Sequence, residues 1–396
     1  MGAARVPDRE RLFTAAFIRL SLADLAYFTS VGVAFHALPL YVTGRLGGDN
    51  AAAGLAFGAF GITALICRPF AGRLADQRGR RPLLVFGAVL DGLGMVGIAF
   101  ADSVPLVVLL RLIQGVAEAA FFVAGFAVLA DLAPPARRGE ALSYNSLGLY
   151  LGIAMGPPLS EFLVERSGFT SAWLAAAVLS AAAALLGLSI GETRPARSGD
   201  EGHSRLIHWP AIPAGIGFFT SLAAAGGFVA FAALHSAAIG MSNTSLALLV
   251  YGSAVVVGRI ALARVPDRLP PLQLGAAALT MIFAGLLVMA ISPTEIALIG
   301  GVLFLALGVT FSTPAFFTAI LSTAGPGERG AASGTASAFI DLGLGFGPIA
   351  LGLVARSGGI PAALAVAAGI AGLGAIWTLA VHRRRPVPAP GAASVH

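Results

Sequence analysis

Apolar runs of about 20 residues, each ended by a short polar or charged break, recur along the whole chain. A run of that length, at about 1.5 Å per residue, matches the hydrocarbon thickness of a bilayer, so each predicts one membrane-spanning helix. Six such runs fall at 13–42, 51–71, 82–101, 105–131, 140–163 and 169–191. A charged stretch interrupts the pattern, and six more follow at 210–236, 244–264, 270–291, 295–323, 330–356 and 360–382. The pattern predicts an all-α membrane protein with twelve transmembrane helices. It divides the chain into an N-terminal six-helix bundle at 1–191, a cytoplasmic linker at 192–209, a C-terminal six-helix bundle at 210–382 and a cytoplasmic tail at 383–396.

The placement of charge orients this array. All 25 lysine-plus-arginine positions are arginine. One set of alternate segments holds Arg5, Arg9, Arg11, Arg73, Arg78, Arg80, Arg81, Arg137, Arg138, Arg194, Arg197, Arg205, Arg264, Arg268, Arg329, Arg383, Arg384 and Arg385. The other set holds Arg45, Arg166 and Arg356. Arginines in short loops stay on the cytoplasmic face, so both termini are expected inside, in a cell inner membrane. The early arginines resemble the start of a signal peptide. The apolar run behind them is too long and lacks a convincing cleavage site, so it reads as the first span.

Composition narrows the function. The chain is 57% apolar and 11% charged, with a mean hydropathy of +0.87, far from soluble proteins at roughly 25% charged. The net charge of +6 sits in short loops between spans and sets topology, so no nucleic-acid partner is expected. The single cysteine, Cys67, excludes an internal disulfide, and no residue spacing implies a metal or a cofactor. Rich use of Ala, Gly and Arg without lysine reads as the product of a GC-rich bacterial genome.

A shift of 191 positions superposes Arg68 and Asp76 on Arg259 and Asp267, Pro135 on Pro326, Arg138-Gly139 on Arg329-Gly330, and Gly156-Pro157 on Gly347-Pro348. One offset serving three regions indicates a duplicated unit. Six spans per repeat is an even number, so the repeats are parallel. A substrate site is then expected near the midplane between the two bundles.

The break between the second and third spans, Gly72 to Arg81, is a compact charged island. Its glycines free a tight turn, and Asp76 can accept hydrogen bonds at a helix N-terminus. Gly72, Leu74, Ala75, Asp76, Gly79, Arg80 and Arg81 together resemble the loop signature of the major facilitator superfamily. The resemblance extends over nearly the whole chain, and Asp341 to Gly345 before Gly347-Pro348 looks like the twelve-helix drug and sugar efflux branch. It implies two bundles rocking about a central site. Gly72, Asp76, Gly79, Arg80 and Arg81, with Arg68 and the echo at Arg259 and Asp267, would then latch the cytoplasmic side.

Charges inside spans are costly and mark functional sites by default. Among them are Asp24, Asp91, Arg111, Glu118, Glu161 and Asp341, with Arg68 and Arg259 near the inner ends of their helices. Arg111, Gln114, Gly115 and Glu118 share one helical stripe. Arg111 to Gly115 is similar to the fourth-helix signature of proton-linked superfamily members, which implies proton coupling. An Arg–Glu pair that only locks helix four to a neighbour is the alternative. Asp341 lies about 16 Å into its helix, near the midplane. It is the first candidate for carrying a proton, followed by Asp24 and then Glu118; Asp91, on a helix that is peripheral in the resembled fold, comes last. A satisfied structural acid is the other reading for each.

Gly152, Gly156 and Pro157 resemble the fifth-helix motif of antiporters. Ser160 and Glu161 stand where that motif has glycines, which leaves the direction of transport open. Tyr27, His36, Gln114, Asn145 and Tyr150 are candidates to line a polar cavity, with structural packing or hydrogen bonding as the alternative for the histidine and the aromatics. These features lead to a secondary active transporter working by alternating access. It is expected as a monomer in the lipid bilayer, exchanging protons for a small organic compound or drug. Proton-linked uptake of a metabolite or sugar is the runner-up. An intramembrane enzyme would need a convergent catalytic set, and a channel would need neither the repeat nor the loop.

Overall fold

A computed structural model describes residues 12–134, 137–193, 207–325 and 328–384. Most of the expected linker, the tail from Arg385, Pro135, Pro326 and the early arginines lie outside the described residues. The described residues form helices and turns only: α1 (Ala15–Leu40), α2 (Asn50–Arg78), α3 (Arg80–Ala99), α4 (Val104–Leu132), α5 (Arg138–Ser167), α6 (Phe169–Leu188), α7 (Ile212–Ala238), α8 (Leu246–Ala261), α9 (Pro271–Ile291), α10 (Glu295–Leu321) and α11 (Arg329–Arg384).

Ten of these helices are long and apolar enough to cross a membrane. Two departures from the predicted twelve are informative. The last two spans run together as α11, broken only at Gly359, whose φ of 78° no side-chain-bearing residue adopts readily. That one residue is the whole turn between two helical arms. The helix α8 has 16 residues, shorter than the predicted 244–264, because the chain leaves the helix at Leu262 and continues through turns to Pro270.

Local signals set the other ends. Thr14 accepts from the Phe17 amide at 3.2 Å and Asp49 accepts from the Ala52 amide at 2.8 Å, each capping free helix donors. Pro39 near the end of α1 is followed by a π-helical turn over Tyr41–Arg45. Gly79, at φ 105°, ends α2 and starts α3 in a single residue.

Helices α1 to α6 pack on one another, with α1 against α5 and α6 and α4 against α2 and α3. Helices α7 to α11 do the same, with α11 on α7 and α9, and α10 on α8 and α9. Two main seams join the halves: α2 with α11, and α5 with α8. The α2–α11 seam is built from small residues, so the backbones nearly touch. A Cβ added at Gly58 would lie 2.1 Å from the Gly345 carbonyl oxygen, and one at Gly61 would lie 2.7 Å from Gly345 Cα.

The seam contacts concentrate at the end remote from the chain termini. There the Arg356 guanidinium pairs with Asp49 at 3.0 Å, and Asn50 donates to the Ala355 carbonyl at 3.2 Å. Toward the terminus end no such close approach of the halves is found at the described glycines. A side chain added at Gly72, Gly330 or Gly334 would meet nothing within 4 Å. The molecule is zipped at one end and lacks that zipper at the other, the parted end.

Candidate functional site

Where the α2–α11 zipper stops, Arg68 stands two helical turns beyond Gly61 on α2. Its Nε pairs with Asp341 Oδ2 on α11, and its Nη2 donates to Asp341 Oδ1 at 2.7 Å. The same Nη2 reaches Glu118 of α4 at 3.2 Å. The Phe122 ring, one turn along α4 from Glu118, lies 4.4 Å from the guanidinium carbon and covers its face. One cation thus holds two carboxylates, one from each half of the molecule. With both acids ionised the group carries one net negative charge, and one added proton balances it. All three side chains are largely buried, at 9%, 16% and 3% exposure for Arg68, Glu118 and Asp341. Buried charges hold together only when paired and hydrogen-bonded, so losing one member leaves the others at high cost.

The structure assigns the predicted residues differently in several places. Arg68, expected with the loop latch, belongs to this mid-height group. Glu118 and Arg111 share a stripe of α4 yet serve separate networks. Arg111 donates to the Ala56 and Phe57 carbonyls of α2 at 3.2 and 3.3 Å and to Gln114 Oε1 at 3.0 Å. Gln114 donates onward to Asp91 at 3.2 Å, and Asp91 accepts from Ser180 at 2.7 Å and Ser30 at 3.5 Å. This second network ties α1, α2, α3, α4 and α6 together inside one half. Asp91, ranked last among the acids, is its hub. The signal for it was available: a carboxylate in a span requires partners wherever it lies.

Asp24 and Asn145 are bonded to each other between α1 and α5, apart from the Arg68 group. Tyr27 is buried and stacks on Phe121 with ring centres 3.9 Å apart. His36 is likewise engaged on both sides: Nδ1 meets Ser160 at 3.0 Å and Nε2 meets Thr244 at 2.8 Å. It sits in a clasp between the halves at the zipped end. Glu161 completes that clasp, accepting from the Thr244 amide at 2.5 Å and the Ser245 hydroxyl at 2.8 Å, just before α8 begins. A carboxylate at a helix N-terminus satisfies free amides and the helix dipole together. Of the two residues that depart from the antiporter pattern, Glu161 is therefore bonded across the seam, and Ser160 holds His36 within the same half. Gly152, Gly156 and Pro157 lie on α5, where a Cβ at Gly156 would come within 2.4 Å of the Gly32 backbone of α1.

In the loop, Asp76 is exposed and no bond of its side chain is found among the described residues. The capping role expected of it belongs to Glu192, which accepts from the Arg80 and Arg81 amides at 3.0 and 3.3 Å. Arg80 pairs with Asp131 and donates to the Ala127 carbonyl of α4 at 3.2 Å. Asp267 is exposed, and Arg259 reaches Tyr150. Among the described residues the bonds of Arg80 and Arg81 run to α4 and to Glu192, and none of them reaches α7 to α11.

The comparisons with known proteins agree with this architecture. Residues 20–343 match the pattern described as Major Facilitator Superfamily. The chain belongs to the major facilitator superfamily. A superfamily member of Escherichia coli, YhhS, named an uncharacterized MFS-type transporter, is 28% identical over 395 residues, with 95% of each chain covered. A second such transporter, STM4428 of Salmonella typhimurium, is 29% identical over 372 residues, covering 90% of this chain and 94% of its own. Among solved structures, a bacterial homologue of the human lysosomal transporter Spinster, inward-facing and unoccupied, superposes with a TM-score of 0.77 at 14% identity. That match covers 98% of this chain and 100% of the homologue. The nucleoside transporter NupG superposes with a TM-score of 0.75 at 15% identity, covering 92% and 99%. At those identities the likeness is one of fold. The expectations of superfamily membership, an all-helical membrane fold and a transporter are met.

Proposed function

We propose that this superfamily member is a proton-coupled transporter that exports a small organic compound by alternating access. The observation that supports the reading is the sharing of Arg68 between Asp341 and Glu118. The contact closes the α2–α11 seam at mid-height, and it depends on charge. A proton on Asp341 removes the charge that holds Arg68 and favours separation of α11 from α2, which links proton occupancy to opening. Asp24, paired with Asn145 in the N-terminal half, is the second acid in this reading. Arg111 acts with Gln114 and Asp91 as the frame that keeps α2 and α4 in register.

The parted end faces the cytoplasm in this reading, and the zipped end faces outward, following the arginine asymmetry. Opening and closing take place within one chain, so a monomer suffices. The antiporter-like Gly152, Gly156 and Pro157 motif, which lets α5 and α1 approach closely, favours export over proton-linked uptake.

The test is transport in proteoliposomes that enclose a pH-sensitive dye. A panel of sugars, amino acids and charged and neutral drugs is applied to wild type and to Asp341→Asn. Substrate-dependent proton movement, lost in the variant, is the expected result, and its sign separates export from uptake. Substrate flux with no proton movement in wild type would remove coupling from the reading and leave the buried acids as structure.

A further inference from the structure

The duplication that relates the two halves also relates their mid-height contacts. Arg68 and Arg259 are 191 positions apart, and so are Tyr150 and Asp341. At one seam Arg68 of α2 meets Asp341 of α11. At the other, Arg259 of α8 meets Tyr150 of α5, whose hydroxyl accepts from Nη2 at 3.2 Å while the guanidinium carbon lies 4.5 Å from the ring centre. The two contacts are copies of one duplicated arrangement that differ in the partners of the arginine: Tyr150 stands for Asp341, and Val309 for Glu118. Arg68 has two carboxylates. Arg259 has a phenol, and no carboxylate pairs with it among the described residues.

A phenol hydroxyl does not balance a cation. Arg259 Nε is buried and has no hydrogen-bond partner among the described residues, although the side chain as a whole is only half-buried and so within reach of a ligand. Its place in the last turn of α8 gives it the helix dipole, a small term against the cost of an uncompensated guanidinium inside a span. Charged groups at this depth persist where they meet a counter-ion, and a transported ion can be that counter-ion. A guanidinium presents a planar fork of donors that suits the paired oxygens of a carboxylate or phosphate. The Tyr150 ring, 4.5 Å from the guanidinium carbon, supplies an aromatic surface beside the fork.

We propose that Arg259, oriented by Tyr150, docks the anionic group of the transported compound, and that this compound is an organic anion with an aromatic or apolar body. The proposal rests on the transport reading above for the position of the site, and it adds the class of substrate. It also gives the halves distinct tasks: Arg68 with its two acids responds to protons, while Arg259 receives the anion.

The experiment is equilibrium binding to the purified full chain in detergent micelles. The probes are benzoate, phenyl phosphate, benzamide and benzylamine. The expected result is binding of the two anions, weak or absent binding of the amide and the amine, and about a tenfold or greater loss of anion affinity in Arg259→Gln, as removal of charge-assisted hydrogen bonds requires. Arg259→Lys keeps the charge without the fork and should retain part of the affinity. Tyr150→Phe keeps the ring and removes one contact, so a several-fold loss there tests the site in a chain whose folding is little disturbed. The ratio of benzoate to phenyl phosphate affinity separates a carboxylate site from a phosphate site. Failure of both anions to bind, equal binding of benzylamine, or undiminished anion affinity in Arg259→Gln would overturn the proposal. Binding in micelles requires no proton movement. Anion binding with proton-silent flux in proteoliposomes would therefore count against coupling alone, and proton-coupled flux without anion binding against the substrate class alone.

Discussion

Arg68 and Asp341 lie 273 positions apart in the chain and meet as a buried ion pair at the point where the glycine zipper between the two halves ends. Above them the backbones of α2 and α11 are pressed together through glycines. Below them no such close approach is found at the described glycines. A contact at such a boundary carries the closing force of the seam, and a third group, Glu118, competes for the same guanidinium at 3.2 Å. Removing charge from either acid therefore shifts the balance at the hinge of the zipper, where a small energetic change has the most leverage.

Arg68→Met would leave two carboxylates facing each other without a cation. Breaking a buried pair by removing one partner costs about 3–5 kcal/mol. The expected outcome is a clear drop in melting temperature in detergent and loss of coupled transport. Arg68→Lys should fold better but transport poorly, because one ammonium cannot fork between two acids as the guanidinium does. Equal transport by the lysine variant would show that charge alone suffices.

The inner network predicts a different pattern. Asp91 accepts from two serines and a glutamine that in turn orients Arg111, all within one half. Asp91→Ala should lower stability by roughly 2–4 kcal/mol, since it strands several buried donors. Any protein that still folds should keep its proton-to-substrate ratio. A changed ratio, measured with the pH dye beside substrate flux, would place Asp91 in the coupling route.

Much of this was legible in the sequence, and the limits have physical causes. Span periodicity, the 191-residue repeat and the loop signature are local or periodic, so they survive without three-dimensional information. The fold followed from them. The partners of buried charges are not local. Arg68 lies near the loop in sequence and was grouped with it, yet a long side chain pointing back along the seam found Asp341. Glu118 shares a stripe with Arg111, but two helical turns separate them by about 10 Å, enough for each to face a different neighbour. Asp76 had the right neighbours to cap α3, and Glu192, 112 positions after Arg80, does so instead. The correspondence of Tyr150 with Asp341 was present in the repeat offset, but a phenol and a carboxylate share no obvious kinship until both are seen against an arginine.

The glycine zipper makes a prediction about shape. A methyl added at Gly58 would sit 2.1 Å from the Gly345 carbonyl, so the backbones must separate to admit it. Gly58→Ala should weaken closure of the remote end. The measurement is pulsed electron paramagnetic resonance between labels at Glu165→Cys and Thr294→Cys, exposed positions near that end of each half, in a Cys67→Ser background. A longer, broader distance distribution is expected. An unchanged distribution with normal transport would mean that the seam repacks around the methyl.

The loop at the parted end makes the converse prediction. In this conformation no bond of the Asp76 side chain is found among the described residues, so Asp76→Asn should leave the stability of this conformation unchanged. If Asp76 binds the opposite half only when that end closes, the variant should transport more slowly and accumulate with the terminus end parted. Full transport by Asp76→Asn would remove the loop carboxylate from the latch and leave its arginines, anchored to α4 and to Glu192, as determinants of topology alone. The clasp at the other end behaves oppositely. Glu161→Gln removes the charge that caps α8, at a cost of about 1 kcal/mol. That loss should lengthen the Glu165→Cys to Thr294→Cys distance and slow return to the conformation seen here. Measuring both variants with one label pair decides whether the two ends are linked as a single rocking motion. Opposite shifts in the two variants require such linkage, and a shift in Glu161→Gln alone, with normal transport in Asp76→Asn, would show that the zipped end is controlled locally.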